Sequence, residues 1–192
     1  MDDVVIDVTD PEILRAEVNR LRAETARLKE RIELLDRLAH RDVLIDLPNR
    51  RGFLRHLEAA IDRVSRYDDV AAMLFVDVDG LKLINDTLGH QAGDQALGQV
   101  ARLLVSGVRK SDLVARIGGD EFAIILGYAD EDSARETANR LVDLIAGSEF
   151  EHDGELLPLS VAIGAAGVKE DDTPETVLAR ADQEMYRRKA AA

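Results

Sequence analysis

One stretch decides the fold of this chain: Arg116-Ile117-Gly118-Gly119-Asp120-Glu121-Phe122. Apolar residues flank it at 113–114 and 122–126, so the sequence predicts two short strands joined by a glycine turn. Glycine permits positive φ there and lets another group approach the backbone closely. The carboxylates of Asp120 and Glu121 are hard oxygen ligands suited to Mg²⁺. The stretch therefore indicates a metal-binding hairpin tip, or else a solvated turn, since Gly and Asp are common turn residues.

The composition limits the number of domains and the kinds of partner. A chain of 192 residues, 46% hydrophobic and 33% charged, is enough for one well-cored domain plus an appendage. The absence of cysteine excludes disulfides and thiolate zinc sites. The net charge of -13 argues against nucleic acid and anionic membranes as partners, because both need a basic face. A nucleotide carrying Mg²⁺ remains compatible, since the metal inverts the local charge.

No segment has the character of a membrane span or a signal peptide. The longest apolar run, Val70 to Val76, is too short to cross a bilayer. The acidic start MDDVVID lacks the basic and apolar parts of a signal peptide. The expected compartment is the cytoplasm.

The first 41 residues are predicted to form an acidic tail, residues 1–10, and a dimerising helix, residues 11–41. From Pro11 onward leucines recur every seven residues, and a mostly β-branched residue follows each leucine by four: Leu14, Leu21, Leu28 and Leu35, with Val18, Thr25, Ile32 and Ala39. This pattern is typical of a parallel two-stranded coiled coil. Pairing across such a dimer gives three attractive contacts: Glu17 with Arg22, Glu24 with Lys29, and Arg31 with Asp36. These charges favour a homodimer over a helix that packs on its own domain.

A second acidic segment follows a continuous apolar run. Val70 to Val76 lacks alternation, as a central strand covered on both faces does, and it ends in Asp77-Val78-Asp79-Gly80. Asp77 and Asp79 point to the same side of an extended strand, so both can face one site. An N-cap is an equally good account of Asp79. Asp77 has no such role, and its carboxylate is costly to desolvate without a cation or donor.

The remaining segments alternate between helices and strands. Apolar spacing predicts helices over residues 51–67, 95–108, 130–145 and 174–189, and two strands around Asp153-Gly154 within residues 149–168. This order implies an α/β domain over residues 42–192 with a largely antiparallel central sheet.

Four segments together resemble the GGDEF-domain diguanylate cyclase family. Residues 118–122 match its naming motif letter for letter, and DVLIDLPNRRGF (residues 42–53) resembles the opening D-x-L-T-G-L-x-N-R-R-x-F, with Ile45 and Asp46 in place of Thr and Gly. VDVDGLKLINDTLGHQAGD (residues 76–94) resembles D-x-D-x-F-K-x-I-N-D-x-x-G-H-x-x-G-D, with Leu81 in place of the aromatic residue. ADQEMYRRK (residues 181–189) resembles the terminal A-D-x-A-L-Y-x-A-K.

The resemblance implies a nucleotidyl-cyclase or polymerase-palm type of fold and the condensation of two GTP into cyclic di-GMP and two pyrophosphates. The implied cofactor is Mg²⁺, with Mn²⁺ as an alternative. Each 3′-hydroxyl attacks the α-phosphate of the GTP on the other protomer, so each protomer supplies half of the active site.

The resemblance also assigns roles to individual residues. The metal is held by Asp77, the Val78 carbonyl, Asp120 and Glu121, while Gly118 and Gly119 bring backbone N–H groups close to phosphate oxygens. The phosphates contact Lys82 and Lys189, and the guanine edge is bound by Asn85 and Asp94. A carboxylate accepts from guanine N–H groups, whereas an Asn amide both donates and accepts. Taken singly, Asn85 and Asp94 are equally typical of turns and caps.

An R-x-x-D pattern, Arg109 to Asp112, lies five residues before Gly118. Its position resembles the family's inhibitory site, where cyclic di-GMP binds away from catalysis, and Arg140 is a further candidate there. The alternative is a helix-end ion pair.

Two other functions are compatible with the sequence. One is a module that binds GTP or cyclic di-GMP without turnover, and the other is an assembly protein whose functional part is the coiled coil. The complete GGDEF motif, with Asp77 and Lys82, favours the enzyme, because a sensor does not need catalytic carboxylates.

Overall fold

The structure is a computed structural model that describes residues 11–67 and 69–191. The predicted acidic tail, residues 1–10, lies outside the described residues. The chain divides into two compact units, with the boundary between Ala39 and His40. None of the helices within the described ranges is long and apolar enough to cross a membrane.

In the described residues the first unit consists of helix α1 (Pro11–His40) without its last residue, His40, which falls in the second unit. The leucines of its heptad repeat are uncovered: Leu14, Leu21 and Leu28 are 45%, 47% and 55% exposed. On another face, Arg20 pairs with Glu17 at 2.8 Å and with Glu24 at 3.4 Å. The apolar stripe runs the length of a 30-residue helix, roughly 45 Å at 1.5 Å per residue. The helix therefore carries a long apolar surface that its own unit does not bury.

The second unit is an α/β domain, as the sequence predicts. Its elements are α2 (Arg50–Tyr67), β1 (Ala71–Val78), α3 (Leu81–Leu88), α4 (His90–Ser106), β2 (Leu113–Arg116), β3 (Glu121–Gly127), α5 (Glu131–Ala146), β4 (Phe150–His152), β5 (Glu155–Leu157), β6 (Val161–Gly167) and α6 (Pro174–Ala191). The central sheet has the order β2-β3-β1-β6, and each neighbouring pair is antiparallel. The β4–β5 hairpin forms a separate small sheet.

Strand β1 is covered on both faces, which explains its uninterrupted apolar sequence. Leu74 and Val76 lie in the core with residues of α4 and α5, whereas Met73 and Phe75 lie in the core with residues of α2 and α6. Side chains alternate along a strand, so Asp77 shares a face with Met73 and Phe75. The carboxylate at the end of β1 is thereby directed toward the side of the sheet that α6 covers.

The structure corrects three predictions made from the sequence, two on element boundaries and one on a number of strands. Strand β1 extends through Asp77 and Val78, because both residues still pair with neighbouring strands. Helix α4 begins at His90 rather than at residue 95 and ends at Ser106. Residues 149–168 contain three strands, not two: the predicted turn joins β4 to β5, and β6 follows separately in the central sheet. Pro158 lies between β5 and β6, where its missing N–H cannot continue a ladder.

Candidate active site

The turn between β2 and β3 is built around Gly118 and Glu121. The N–H groups of Ile117 and Gly118 donate to the Glu121 carbonyl at 2.9 and 3.3 Å. A Cβ on Gly118 would lie 2.1 Å from Glu121 Oε2, so only glycine lets this side chain fold over the turn. Gly119 has open space where a Cβ would point. Neither glycine has positive φ, so that part of the prediction is wrong and close approach is what the turn requires.

Three acidic residues, Asp77, Asp120 and Glu121, are neighbours where β1 ends and β3 begins. Asp77 and Glu121 are directly opposite each other in the antiparallel pair. The Val78 N–H donates to the Asp120 carbonyl at 2.9 Å, which fixes Asp120 beside them. Burial raises the pKa of Glu121 above its ordinary value, and the charges of Asp120 and Asp77 raise it further. The cluster therefore favours a cation.

Lys189 supplies a positive charge to this cluster from the last turn of α6. Its Nζ donates to Asp77 Oδ1 and lies 3.4 Å from Asp79 Oδ1. The hydrogen bond to Asp77 raises the pKa of Lys189. Lys189, which the sequence predicts as a phosphate contact, thus binds Asp77, which the sequence predicts as a metal ligand.

Asp79 belongs to the acidic cluster and does not cap a helix. The N-cap of α3 is Gly80, at φ 68, and no side chain caps this end. The Asp79 carboxylate instead accepts a hydrogen bond from Ser160 Oγ at 3.0 Å. Of the two accounts that the sequence leaves open, the structure favours the one in which Asp77 and Asp79 face one site.

The donor set fits a metal that arrives with a nucleotide. Among the described residues, no three acidic, histidine or cysteine side chains are grouped so that they could hold an ion alone. Mg²⁺ in nucleotide sites is typically bound by one or two carboxylates, with phosphates and water completing its shell. Burial and the charges of Asp120 and Asp77 raise the pKa of Glu121, and Lys189 donates a hydrogen bond to Asp77, so a positive charge stabilises these carboxylates. The donor set is therefore one that could hold Mg²⁺ together with nucleotide phosphates.

The predicted nucleotide contacts lie on α3 and α4. Lys82 is exposed in the first turn of α3, and it makes no hydrogen bond or ion pair within the part of the chain that the structure describes. Asn85 lies against α4, where a Cβ on Gly93 would come within 2.1 Å of its Oδ1. Asp94 is exposed and lines a cavity of about 500 Å³ together with Leu44, but Asn85 does not line it. The structure therefore brings Asn85 next to the residue before Asp94, not into the same cavity.

Arg116 fixes the turn to the start of the domain, a role that the sequence did not reveal. Its Nη2 donates to the Gly119 carbonyl at 2.7 Å, and its Nη1 lies 3.3 Å from Asp42. Asp42 also accepts from the N–H groups of Leu44 and Ile45 at 2.9 and 2.8 Å. The position of Arg116 just before the glycine turn could have indicated a bond to a turn carbonyl. Its other partner, Asp42, is 74 residues away in the sequence and could not have been inferred.

The departures from the family motif at Ile45 and Asp46 are accommodated locally. Asp46 Oδ1 lies 2.6 Å from Arg41 Nη2, and Ile45 is partly buried against the core. The Asp42 N–H donates to the Leu47 carbonyl at 2.9 Å, which closes the loop.

A second cavity, of about 360 Å³, lies at the other end of the hairpin. Arg109, Asp112 and Arg140 all line it. Asp112 accepts from the N–H groups of Arg109 and Gly127 at 2.9 and 3.3 Å, so it holds the two strand ends together. The guanidinium of Arg109 bonds to no residue in the described ranges, so the alternative of a helix-end ion pair does not hold. Arg140 Nη1 donates to the Gly107 carbonyl at 2.6 Å.

Antiparallel strands that end in clustered carboxylates beside a lysine, with helices on both faces, define a domain of the nucleotidyl-cyclase and polymerase-palm type. The chain belongs to the GGDEF family: the family description "Diguanylate cyclase, GGDEF domain" matches residues 39–192. Membership confirms the resemblance seen in the sequence.

The relatives include both curated proteins and solved structures. The chain is 35% identical over 197 residues to the response regulator PleD of Caulobacter vibrioides, covering all of this chain and 43% of PleD. It is 38% identical over 177 residues to the diguanylate cyclase TpbB of Pseudomonas aeruginosa, covering 91% of this chain and 41% of TpbB. It thus spans less than half the length of these relatives.

A solved structure resembles nearly the whole chain. The coiled coil and GGDEF domain of DgcB from Caulobacter crescentus, in complex with c-di-GMP, superposes with a TM-score of 0.87 at 27% identity. The match covers 93% of this chain and 95% of that one.

Proposed function

We propose that this chain is a diguanylate cyclase that condenses two GTP into cyclic di-GMP and two pyrophosphates. The observation that carries the proposal is the convergence of Asp77, Asp120 and Glu121 beside Lys189, in a chain of the GGDEF family. Family membership alone supports the fold and the binding of guanine nucleotides. The intact carboxylate cluster is what supports turnover.

The carboxylates where β1 ends and β3 begins would hold Mg²⁺, or Mn²⁺ as an alternative. The residues concerned are Asp77, Asp120 and Glu121, together with the Val78 carbonyl. When bound, the metal supplies Lewis-acid stabilisation of phosphate charge and lowers the pKa of the attacking hydroxyl.

The chain's own groups position the nucleotide around that cluster. Lys189 neutralises Asp77 and Asp79 before nucleotide arrives and is close enough to meet the phosphates afterwards. Lys82 is exposed at the start of α3 and contacts the same phosphates. Gly119 leaves its backbone open to a phosphate oxygen, since nothing lies within 4 Å of where its Cβ would be. Asp94, which lines the cavity with Leu44, accepts from the guanine edge, and Asn85, which packs against Gly93 outside that cavity, is the second proposed contact to the base.

We propose further that the enzyme works as a homodimer formed through residues 11–41. Each active site then needs a second domain, because the 3′-hydroxyl of one GTP attacks the α-phosphate of the other. The exposed apolar stripe of α1 supports this, since a stripe of leucines and β-branched residues of this length is typically buried by a second helix. The coiled coil named for DgcB supports it independently.

The cavity at the other end of the hairpin is proposed to bind the product and to restrain turnover. Within the described residues the guanidinium of Arg109 has no partner, and Arg140 has donors beyond the one given to Gly107. Guanidinium groups bind phosphates bidentately. The c-di-GMP in the DgcB structure is consistent with a ligand of this kind.

The test is chromatographic identification of the products formed from GTP by the full chain. With Mg²⁺ we expect cyclic di-GMP and pyrophosphate, and with EDTA unchanged GTP. Binding of GTP without conversion would instead assign a nucleotide-binding module. Failure to bind GTP would leave α1 as the functional part, as in an assembly protein.

A further inference from the structure

Tyr128 occupies an unusual backbone conformation between β3 and α5. Its φ is 54, in the left-handed region, and its side chain is 78% exposed. Among the described residues, one other non-glycine residue has positive φ, Asp153. Aspartate is tolerated there because its short polar side chain bonds locally, but a bulky aromatic residue is a genuine outlier.

The strain at Tyr128 is not offset by packing. A side chain that is mostly exposed gains little from burial, and its hydroxyl makes no hydrogen bond within residues 11–67 and 69–191. Glycine would adopt this φ without a steric cost. Strained residues that the fold does not need are found chiefly at ligand sites. The exposed ring of Tyr128 is therefore a candidate for contact with a ligand.

The ring borders the cavity that contains two arginines. Tyr128 lines it together with Arg109, Asp112 and Arg140. Both carboxylate oxygens of Asp112 accept from backbone N–H groups, so Asp112 shapes the wall, while the guanidinium of Arg109 has no partner in the described parts of the chain. An exposed aromatic face beside guanidinium groups is suited to a ligand that combines a flat base with phosphate.

We propose that Tyr128 is the base-stacking residue of this cavity, with its ring against one guanine of cyclic di-GMP and the ligand's phosphates on Arg109 and Arg140. The inference rests on the inhibitory site of the proposed function and adds to it the residue that recognises the base. At about 360 Å³ the cavity is at the low end of small-molecule sites, which span about 300–1,000 Å³. A ring at the cavity rim extends the surface available to a ligand larger than the cavity.

The experiment is calorimetric titration of cyclic di-GMP into the full chain in EDTA, where no turnover occurs. Base–aromatic stacking contributes about 1–3 kcal/mol per base, so Tyr128→Ala should weaken binding roughly tenfold. Tyr128→Phe should bind like the wild type, because it keeps the ring. Tyr67→Ala, which removes a tyrosine 73% exposed at the end of α2, is the matched control and should have no effect.

A further variant separates stacking from a structural role. Tyr128→Gly should bind cyclic di-GMP as weakly as Tyr128→Ala but have a higher melting temperature than the wild type, because glycine relieves the strain. A lower melting temperature for Tyr128→Gly would overturn the inference, since the tyrosine would then stabilise the fold. If Tyr128→Ala binds cyclic di-GMP with wild-type affinity while Arg109→Ala does not bind it, the role of Tyr128 is overturned. The cavity would then still be the binding site. Wild-type affinity in Arg109→Ala would remove the site as well.

Discussion

The two ends of the β2–β3 hairpin carry opposite charges on one continuous pair of strands. At the turn, Asp120 and Glu121 join Asp77 in a cluster that Lys189 partly neutralises. At the open end, Arg109 and Arg140 line a cavity in which the Asp112 carboxylate accepts from two backbone N–H groups. Strand β3 separates the ends by roughly 20 Å, since its seven residues rise about 3.3 Å each.

The difference shows that the loops, not the strands, determine which ligand each end can take. The strands are apolar and buried between the two cores, so they give the ends a fixed separation. Under the proposed function the acidic end would need a cation before it could approach phosphate, whereas the guanidinium groups at the basic end would bind phosphate without one. The backbone differs as well: the turn requires glycine at Gly118 for close approach, and the open end places Tyr128 where glycine would be easier. Substitutions that alter one end of the hairpin, or the dimer, and leave the rest unchanged test this difference.

Asp120→Asn should have the largest effect, because it removes one charge from the acidic end. We expect the initial rate of cyclic di-GMP formation to fall roughly 100-fold or more, the scale on which loss of one transition-state-stabilising group acts. Asp120 is half-buried outside the apolar core, so the melting temperature should change little. Asp153→Asn, in the turn between β4 and β5, is the control for loss of one aspartate charge. Product formation at the wild-type rate would remove Asp120 from the site.

Leu21→Asp combined with Leu28→Asp tests whether the active site needs two domains. Like charges in two d layers cost about 3 kcal/mol or more, so the dimer dissociation constant should rise at least 100-fold. The variant should be monomeric in sedimentation at low micromolar concentration, lose specific activity there, and still bind GTP.

Initial rates measured over a range of protein concentrations distinguish loss of the dimer from an unrelated loss of activity. Raising the concentration of the double variant should recover activity more steeply than linearly. Ala16→Asp with Ala23→Asp adds the same charge away from the heptad leucines and should stay dimeric and active. Full activity that is independent of concentration in a monomeric variant would contradict the dimer mechanism.

Arg109→Ala should affect only the basic end. Hydrogen bonds to charged groups contribute about 1.5–3 kcal/mol, so loss of a phosphate contact should weaken cyclic di-GMP binding roughly 10- to 100-fold. Titration calorimetry in EDTA measures this directly. Lys110→Ala removes the neighbouring positive charge, which does not line the cavity, and should bind normally. Equal loss in both variants would mean that the effect is one of net charge.

Glu121→Gln should give the smallest effect, a change in stability that depends on pH. The pKa of Glu121 is raised in the folded chain, so its contribution to stability is present below the unfolded pKa and is lost as pH rises through the folded pKa. Glutamine resembles the protonated form at every pH. In EDTA the variant should therefore have a higher melting temperature than the wild type near neutral pH and the same melting temperature at about pH 4, below the unfolded pKa of a glutamate.

The control for this prediction is Glu136→Gln, on the exposed side of α5. It removes the same charge at a position on α5, away from Asp77 and Asp120. A difference between Glu121→Gln and the wild type that is constant across pH would show that the charge cluster does not destabilise the folded chain.

The sequence was sufficient for the α/β domain, the hairpin and the central strand, because continuous or periodic apolar runs determine those elements. It was misleading where a local pattern competed with a distant contact. The apolar spacing predicted a helix from residue 95, whereas α4 begins at His90 and includes Gly93, where Asn85 occupies the space that a Cβ would need. Asp79 reads equally well as a cap or as a site residue, and Ser160, 81 residues later, favours the second.

Contacts between residues far apart in the sequence also could not be predicted from the sequence. Lys189 pairs with Asp77 across 112 residues, and Arg116 with Asp42 across 74. No spacing rule links such residues, because the fold alone brings them together. The sequence did not reveal Tyr128 as a candidate ligand contact for another reason. The residues next to it do not indicate a positive φ, and a tyrosine after Gly127 is typical of an ordinary loop.

The most direct test of the account is the time course of pyrophosphate release from GTP and Mg²⁺ by the wild type and by Arg109→Ala. The account predicts equal initial rates, because the acidic end is the same in both. It also predicts that the wild-type rate falls as cyclic di-GMP accumulates while the Arg109→Ala rate is maintained. Two curves that superimpose throughout would contradict a product site at the basic end, and the absence of pyrophosphate in both would contradict catalysis at the acidic end.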